Sequence, residues 1–260
     1  MLTHVSRALQ LFRETRNPVP IVLDRMSLAR APYCMQTKDG LRFELRPQRG
    51  DRFGFYEVLV RGDYTRFGQT IAPGATVIDI GANVGCFSIL AARLAGPQGR
   101  VIAVEPDPSN YAQLVRNIAL NGATNVTPYR VAMGGSDGST LLFSSDASSL
   151  FSSTAAGASG RATEVEMLTL DSLMDRAGVA RCDYLKVDCE GAEYAMLDAL
   201  TPGAARRIMQ VSIEIHVIPG RKPDEIHERL HAHGFVLHTR QHVYYFRAEP
   251  DAADLPAGHA

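Results

Sequence analysis

The chain has 260 residues, 45% of them hydrophobic, with 27 basic and 28 acidic side chains and a formal net charge of −1. That length is enough for one large α/β domain with a substantial core. The balanced charge excludes a strong global field toward nucleic acid or an anionic membrane, and no apolar run approaches the ~20 residues that span a bilayer.

Residues 1 to about 30 carry a partial apolar face (Val5, Leu9, Leu11, Phe12) and read as helical, interrupted by Pro18 and Pro20. Met1 to Asn17 has no continuous apolar stretch, so a secretory signal is not expected. The cysteines Cys34, Cys86, Cys182 and Cys189 show no C-x-x-C spacing. They read as buried or half-buried thiols of a reducing compartment, which predicts a cytoplasmic protein. Segments 41–45 and 55–60 read as short strands about the turn Gln48-Arg49-Gly50-Asp51, placed to form a lid over the loop at 81–85.

From Thr76 the pattern alternates. Strands are predicted at 77–80, 101–105 and 126–132, with helices at 84–95 and 108–120 between them. Segment 134–162, rich in Ser, Gly and Ala, breaks the alternation and reads as an inserted hairpin or flexible loop between strands at 140–143 and 163–167. Alternation resumes with a helix at 170–176, a strand at 184–187, a helix at 192–200, a strand at 210–215 and a helix at 223–233. A terminal hairpin at 235–239 and 242–247 completes it. Repeated strand–helix–strand units mean right-handed crossovers and a parallel sheet covered on both faces. The expected organisation is an extension over 1–50 (a lid or a dimer element), a main domain over 51–248 and a flexible tail over 249–260.

The run Val77-Ile78-Asp79-Ile80-Gly81-Ala82-Asn83-Val84-Gly85 is the most informative. A buried strand reaches an acid, turns on glycine and enters a helix whose first N–H groups are unpaired. A second strand ends at Glu105, 20 residues after Gly85. An acid there can accept both hydroxyls of a ribose. The dinucleotide fingerprint needs a middle glycine, and that position is Asn83. Asp79 aimed into the loop would repel a pyrophosphate and favour a positive ligand. S-adenosylmethionine, with a sulfonium and an α-ammonium beside a ribose, meets both conditions.

Chemistry is expected at the carboxyl ends of later strands. Asp188 follows the strand at 184–187; Glu214 and His216 end the next one and share a face. These three would converge beside a transferable methyl group. His216 has an ordinary titration range suited to taking the proton of an acceptor hydroxyl, and Asp188 is the positional alternative. Glu193 reads only as an acid favouring a helix start. Asp188, Glu214 and His216 would also suit a divalent cation by ligand type, but no spacing rule supports one and none is predicted. A competing motif, His227-Glu228-Arg229-Leu230-His231, spells the H-E-x-x-H of zinc hydrolases. The third histidine of the longer form would fall on Leu237, and the helix reads as solvent-facing. Zinc hydrolysis and a non-catalytic nucleoside-binding protein are the alternatives carried.

Val77 to Gly85, Val104-Glu105-Pro106, Asn117 with Asn121, Thr169-Leu170-Asp171 and Leu185-Lys186-Val187-Asp188-Cys189-Glu190-Gly191-Ala192-Glu193 together resemble FkbM-type methyltransferases over about residues 55 to 240. The resemblance implies a class I, Rossmann-like doubly wound sheet of seven strands, order 3-2-1-4-5-7-6, with the last strand antiparallel. It implies S-adenosylmethionine as cofactor, S-adenosylhomocysteine as product, and O-methylation of a hydroxyl on a sugar, polyketide or other small-molecule or glycan acceptor. Carried over by position, Asp79, Gly81, Ala82, Asn83 and Gly85 would line the methionine end, and Glu105 the ribose. No nucleic acid or membrane partner is expected; a homo-oligomer is left open.

Overall fold

The computed structural model describes residues 9–66, 69–145, 148–153, 161–240 and 242–249. The seven central strands are β3 (Thr76–Ile80), β4 (Arg100–Val104), β5 (Val126–Tyr129), β10 (Tyr184–Val187), β11 (Gln210–Glu214), β12 (Phe235–Arg240) and β13 (Val243–Ala248). They form one sheet in the order β12-β13-β11-β10-β3-β4-β5. Numbered along the chain this is 3-2-1-4-5-7-6, and β13 runs antiparallel to both its neighbours. The expected class I topology is therefore present. Among the described residues no helix is long and apolar enough to cross a membrane.

The sequences of β3, β4 and β10 are near-continuous apolar runs because both faces of a parallel sheet are covered. Alternation assigns the faces. Ile78, Ile80, Leu185 and Val187 enter one core. Val77 and Tyr184 enter the other, with Phe87 and Ile89 of α4 (Cys86–Ala95). Pro128 lies in β5, the edge strand, where no neighbour asks for its missing N–H.

The structure departs from the sequence reading at four points. Segment 55–60 is helical, not a strand: α3 (Asp51–Phe55) runs into a π-helical turn, Tyr56–Arg61. Buried Asp51 fixes its start by accepting from the Arg46 backbone N–H and guanidinium. The single strand expected at 126–132 divides, and β6 (Ala132–Met133) leaves the main sheet. With β7 (Gly138–Ser145), β8 (Ser148–Ser153) and β9 (Arg161–Leu168) it makes a second sheet, order β6-β9-β7-β8. The insertion is thus a sheet with its own small core of Ala132, Leu142 and Val165. Cys34 is exposed rather than buried or half-buried. Residues 1–8 and the expected tail beyond Glu249 lie outside the described residues.

The N-terminal hairpin, β1 (Tyr33–Gln36) with β2 (Arg42–Leu45), lies on α5 (Pro108–Asn121). Two asparagines one helical turn apart finish the edge of β2. Asn121 accepts from Arg42 N and donates to Arg42 O. Asn117, fully buried, accepts from Glu44 N, donates to Glu44 O and also donates to Val84 O. Truncating it takes this partner from Glu44 N and Val84 O, each loss costing about 1–3 kcal/mol, while Glu44 O keeps the Gln113 amide. Asn117→Ala is expected to destabilise the fold by ~2–4 kcal/mol in urea unfolding; a loss below ~1 kcal/mol would contradict this account.

Candidate active site

The tips of β3, β4 and β10 open onto one cleft. Its floor includes Gly81, Asn83 and Glu105; its far end includes Asp188 and Glu190. Gly81 must be glycine. Its φ is +73°, and an added Cβ would overlap the Asp188 carbonyl oxygen. Gly85, at φ +90°, is pressed against Leu114. The loop is held from β4: Glu105 accepts from Asn83 N at 2.8 Å and Asp107 N at 3.0 Å. Pro106, Val131, Met133 and Leu142 form an apolar wall beyond it, Leu142 coming from the inserted sheet.

Asp79 is at the predicted strand tip but is not among the residues lining the cleft. It falls on the α4 face of the sheet, fully buried. Ser88 Oγ donates to its Oδ2 at 2.5 Å, and Lys186 Nζ lies 3.2 Å from its Oδ1. Its charge is spent on the neighbouring strand's lysine rather than aimed into the loop.

Asp188, Glu214 and His216 do come together. Tyr64 Oη donates to Asp188 Oδ2 (3.2 Å) and reaches Glu214 Oε2 at 3.3 Å. His216 Nε2 stands 3.9 Å from Asp188 Oδ1 and 3.6 Å from Glu190 Oε2. Only Asp188 of the three lines the cleft itself. Glu193, read from sequence as a helix-start acid, is fully buried and holds His216 Nδ1 at 2.5 Å. Burial pushes the imidazole down, but the Glu193 bond and the charges of Glu193, Glu190 and Asp188 outweigh it, raising the pKa to about 9. His216 therefore carries its proton at neutral pH, contrary to the ordinary range assumed from sequence. Sequence reasoning misses Tyr64, Glu57, Lys186 and Glu193 as site residues. Lys186 has a signal, a lysine inside an otherwise apolar strand; the others have none within their own segments.

Among the described residues, one group of three His, Cys, Asp or Glu side chains has ligand atoms close enough to share an ion: Asp188, Glu190 and His216. Glu190 thus stands where the sequence reading put Glu214. His227 and His231 are not in it. They lie on α9 (Pro223–Ala232), which buries Ile226 and Leu230, and the His227 ring faces Phe246 and His231 instead.

The family model described as "Methyltransferase FkbM domain" matches residues 79–237, which contain the glycine loop, Glu105, Asp188 and His216. The chain belongs to this family. It is an S-adenosylmethionine-dependent methyltransferase. It is 26% identical over 219 residues to 31-O-demethyl-FK506 methyltransferase FkbM of Streptomyces tacrolimicus, covering 73% of this chain and 84% of that protein. It is 27% identical over 229 residues to AMB antimetabolite synthetase AmbE of Pseudomonas aeruginosa, covering 72% of this chain but only 11% of that protein. Among solved structures, Aeropyrum pernix fibrillarin in complex with natively bound S-adenosyl-L-methionine aligns at 13% identity and a TM-score of 0.46, over 84% of this chain and 94% of that one.

The cleft of this FkbM-family methyltransferase fits the cofactor on its own geometry. Asn83 Oδ1 is buried beside it without a hydrogen-bond partner among the described residues. Acidic groups face the far end, where a positive ligand would be favoured. Those acids repel one another. Burial first, then the charges of Asp188 and Glu214, push Glu190 up to about 7 against the opposing pull of His216. Burial, then Asp188, does the same to Glu214, and burial, then Glu214, to Glu57. Burial raises Glu105 to about 7 against the two backbone N–H groups that hold it.

These shifts set the pH dependence of stability. Carboxyls held above their ordinary 4.5 destabilise the fold increasingly from pH 4.5, fully above about 7. His216, held above its ordinary 6.5, contributes stability present in full below 6.5 and lost as pH rises through about 9. Both slopes have one sign, so the ligand-free protein is expected to lose thermal stability between about pH 5 and pH 9. Calorimetric melting across that window checks this; a midpoint that rises with pH would contradict it.

Proposed function

We propose that this methyltransferase transfers the methyl group to a hydroxyl of a small-molecule or glycan acceptor, with Asp188 taking the hydroxyl proton. The observation that carries the reading is the position of Asp188: in the same cleft as the glycine loop, at the carboxyl end of β10, beside Gly81. The name of the Streptomyces tacrolimicus relative, a 31-O-demethyl-FK506 methyltransferase, supports oxygen as the accepting atom.

In this reading Gly81, Ala82, Asn83 and Gly85 hold the methionine end of the cofactor through loop backbone. Glu105 accepts from the ribose hydroxyls with the lone pairs that Asn83 N, Asp107 N and the Asn110 amide leave open. Pro106, Val131, Met133 and Leu142 cover the adenine. Asp79 works one layer back, through Lys186. When bound, S-adenosylmethionine supplies an electrophilic methyl on a sulfonium. The chain's own residues do the rest. Asp188 accepts the proton of the acceptor hydroxyl as that oxygen attacks. Tyr64 donates to Asp188 and orients its carboxylate. His216, protonated and held by Glu193, offsets the charge of Asp188 and Glu190. Glu214 supports Tyr64 from behind. Residues 51–248 carry the cofactor and acceptor-base residues, and the hairpin at 33–45 supports the loop through Asn117.

Methyl uptake from labelled cofactor, screened over hydroxylated metabolites and glycans, identifies the acceptor. On that acceptor Asp188→Asn is expected to lower turnover by ~10²–10⁴-fold, with S-adenosylhomocysteine affinity little changed; full turnover would remove Asp188 as base. Glu105→Gln is expected to weaken S-adenosylhomocysteine by about tenfold or more in calorimetry. Undiminished affinity would rule out the ribose assignment.

A further inference from the structure

We infer that Lys186 is the positioning residue that ties the cofactor loop to the acceptor base, so that both are held by one ammonium group. The inference rests on the reading of Asp188 as base. Lys186 is opposite Asp79 in the β10–β3 register. Its side chain is 4% exposed, so what its ammonium touches is what keeps it there. Nζ donates to Gly81 O at 2.8 Å and Ile80 O at 3.2 Å, the two carbonyls that open the glycine loop. It lies 3.2 Å from Asp79 Oδ1 and 3.5 Å from Asp188 Oδ2. The Tyr64 ring faces it with the centroid 5.4 Å away.

An ammonium this deep persists only when its charge is answered. Burial works against the protonated form, and Asp79 and then Asp188 overcome it, so the lysine stays charged. The converse matters for function. A fixed cation 3.5 Å from Asp188 Oδ2 attracts that carboxylate and holds it beside the loop. The other groups facing Asp188 pull in both directions. Glu190, on its own loop, and Glu214, at the end of β11, repel it; His216, also after β11, attracts it; Tyr64 donates to it. Lys186 is the cation among these that also grips the cofactor loop. Its two carbonyl bonds draw Ile80 O and Gly81 O toward the sheet, which fixes the loop entering Ala82 and Asn83.

Lys186→Met alone leaves Asp79 as a buried unanswered charge and endangers folding. The test therefore uses Asp79→Asn/Lys186→Met against Asp79→Asn, with Asp79→Asn/Lys186→Gln as an uncharged hydrogen-bonding control. Crystal structures of the folded variants locate the Asp188 carboxylate and the loop at 81–83. In the double variant both are expected to leave the positions they hold in Asp79→Asn. Affinity for S-adenosylhomocysteine in calorimetry is expected to fall by about tenfold. The glutamine control should recover the loop position and part of the affinity but not the position of the Asp188 carboxylate. A folded double variant with loop and carboxylate in place and undiminished affinity overturns the inference. Neither readout needs the acceptor or the chemical step. An Asp188→Asn enzyme that still turns over would overturn the base reading, in an experiment separate from these two.

Discussion

Lys186 and Asp79 are opposite charges on neighbouring parallel strands, and the cleft is organised around their contact. Both side chains are buried. Each alone would carry a desolvation cost of several kcal/mol with nothing to offset it. Together, with Ser88 on one side and two loop carbonyls on the other, they offset each other's charge. The geometry comes from register: two residues directly across a parallel pair, each one position from its strand's end, on the same face. Loop, cleft floor and Asp188 all begin within two residues of that contact. A hydrophobic pair of equal volume could close the sheet as well, but it would leave the Gly81 carbonyl without its donor.

What can be read from the chain divides along the same lines. The strands β3, β4 and β10 are plain in the sequence because burial on both faces demands near-continuous apolar runs. The acid at each tip and the glycines between are legible for the same local reason. Segment 55–60 is not: Phe55, Val58 and Val60 are all buried, and a short apolar run of this kind fits either period. The aim of Asp79 is hidden because a strand tip has two faces, and the choice depends on which helix packs where. Glu193 and His216 are 23 residues apart, and Tyr64 reaches Asp188 across 124. No spacing rule reports such contacts; the fold creates them.

The far end of the cleft stores electrostatic tension. Glu57, Asp188, Glu190 and Glu214 are crowded into a partly dry space, and three of them are pushed well up from the ordinary carboxyl range. The imidazoles of His216 and His242, the Lys186 ammonium, the Arg61 guanidinium and the Tyr64 phenol, shared between two carboxylates, offset part of that tension. Such a region is stable only as a set. It also presents a standing preference for ligands that bring positive charge, before any particular contact is made.

The Asn117 side chain has one further implication. Its amide spans the distance from the N-terminal hairpin at Glu44 to the glycine loop at Val84. A boundary drawn at residue 50 cuts through that span. Shortened versions of the enzyme starting there would keep every strand of the main sheet yet lose a partner that steadies the loop's last turn. The working unit is therefore larger than its sheet order advertises, and the hairpin steadies a cleft whose described lining it does not join.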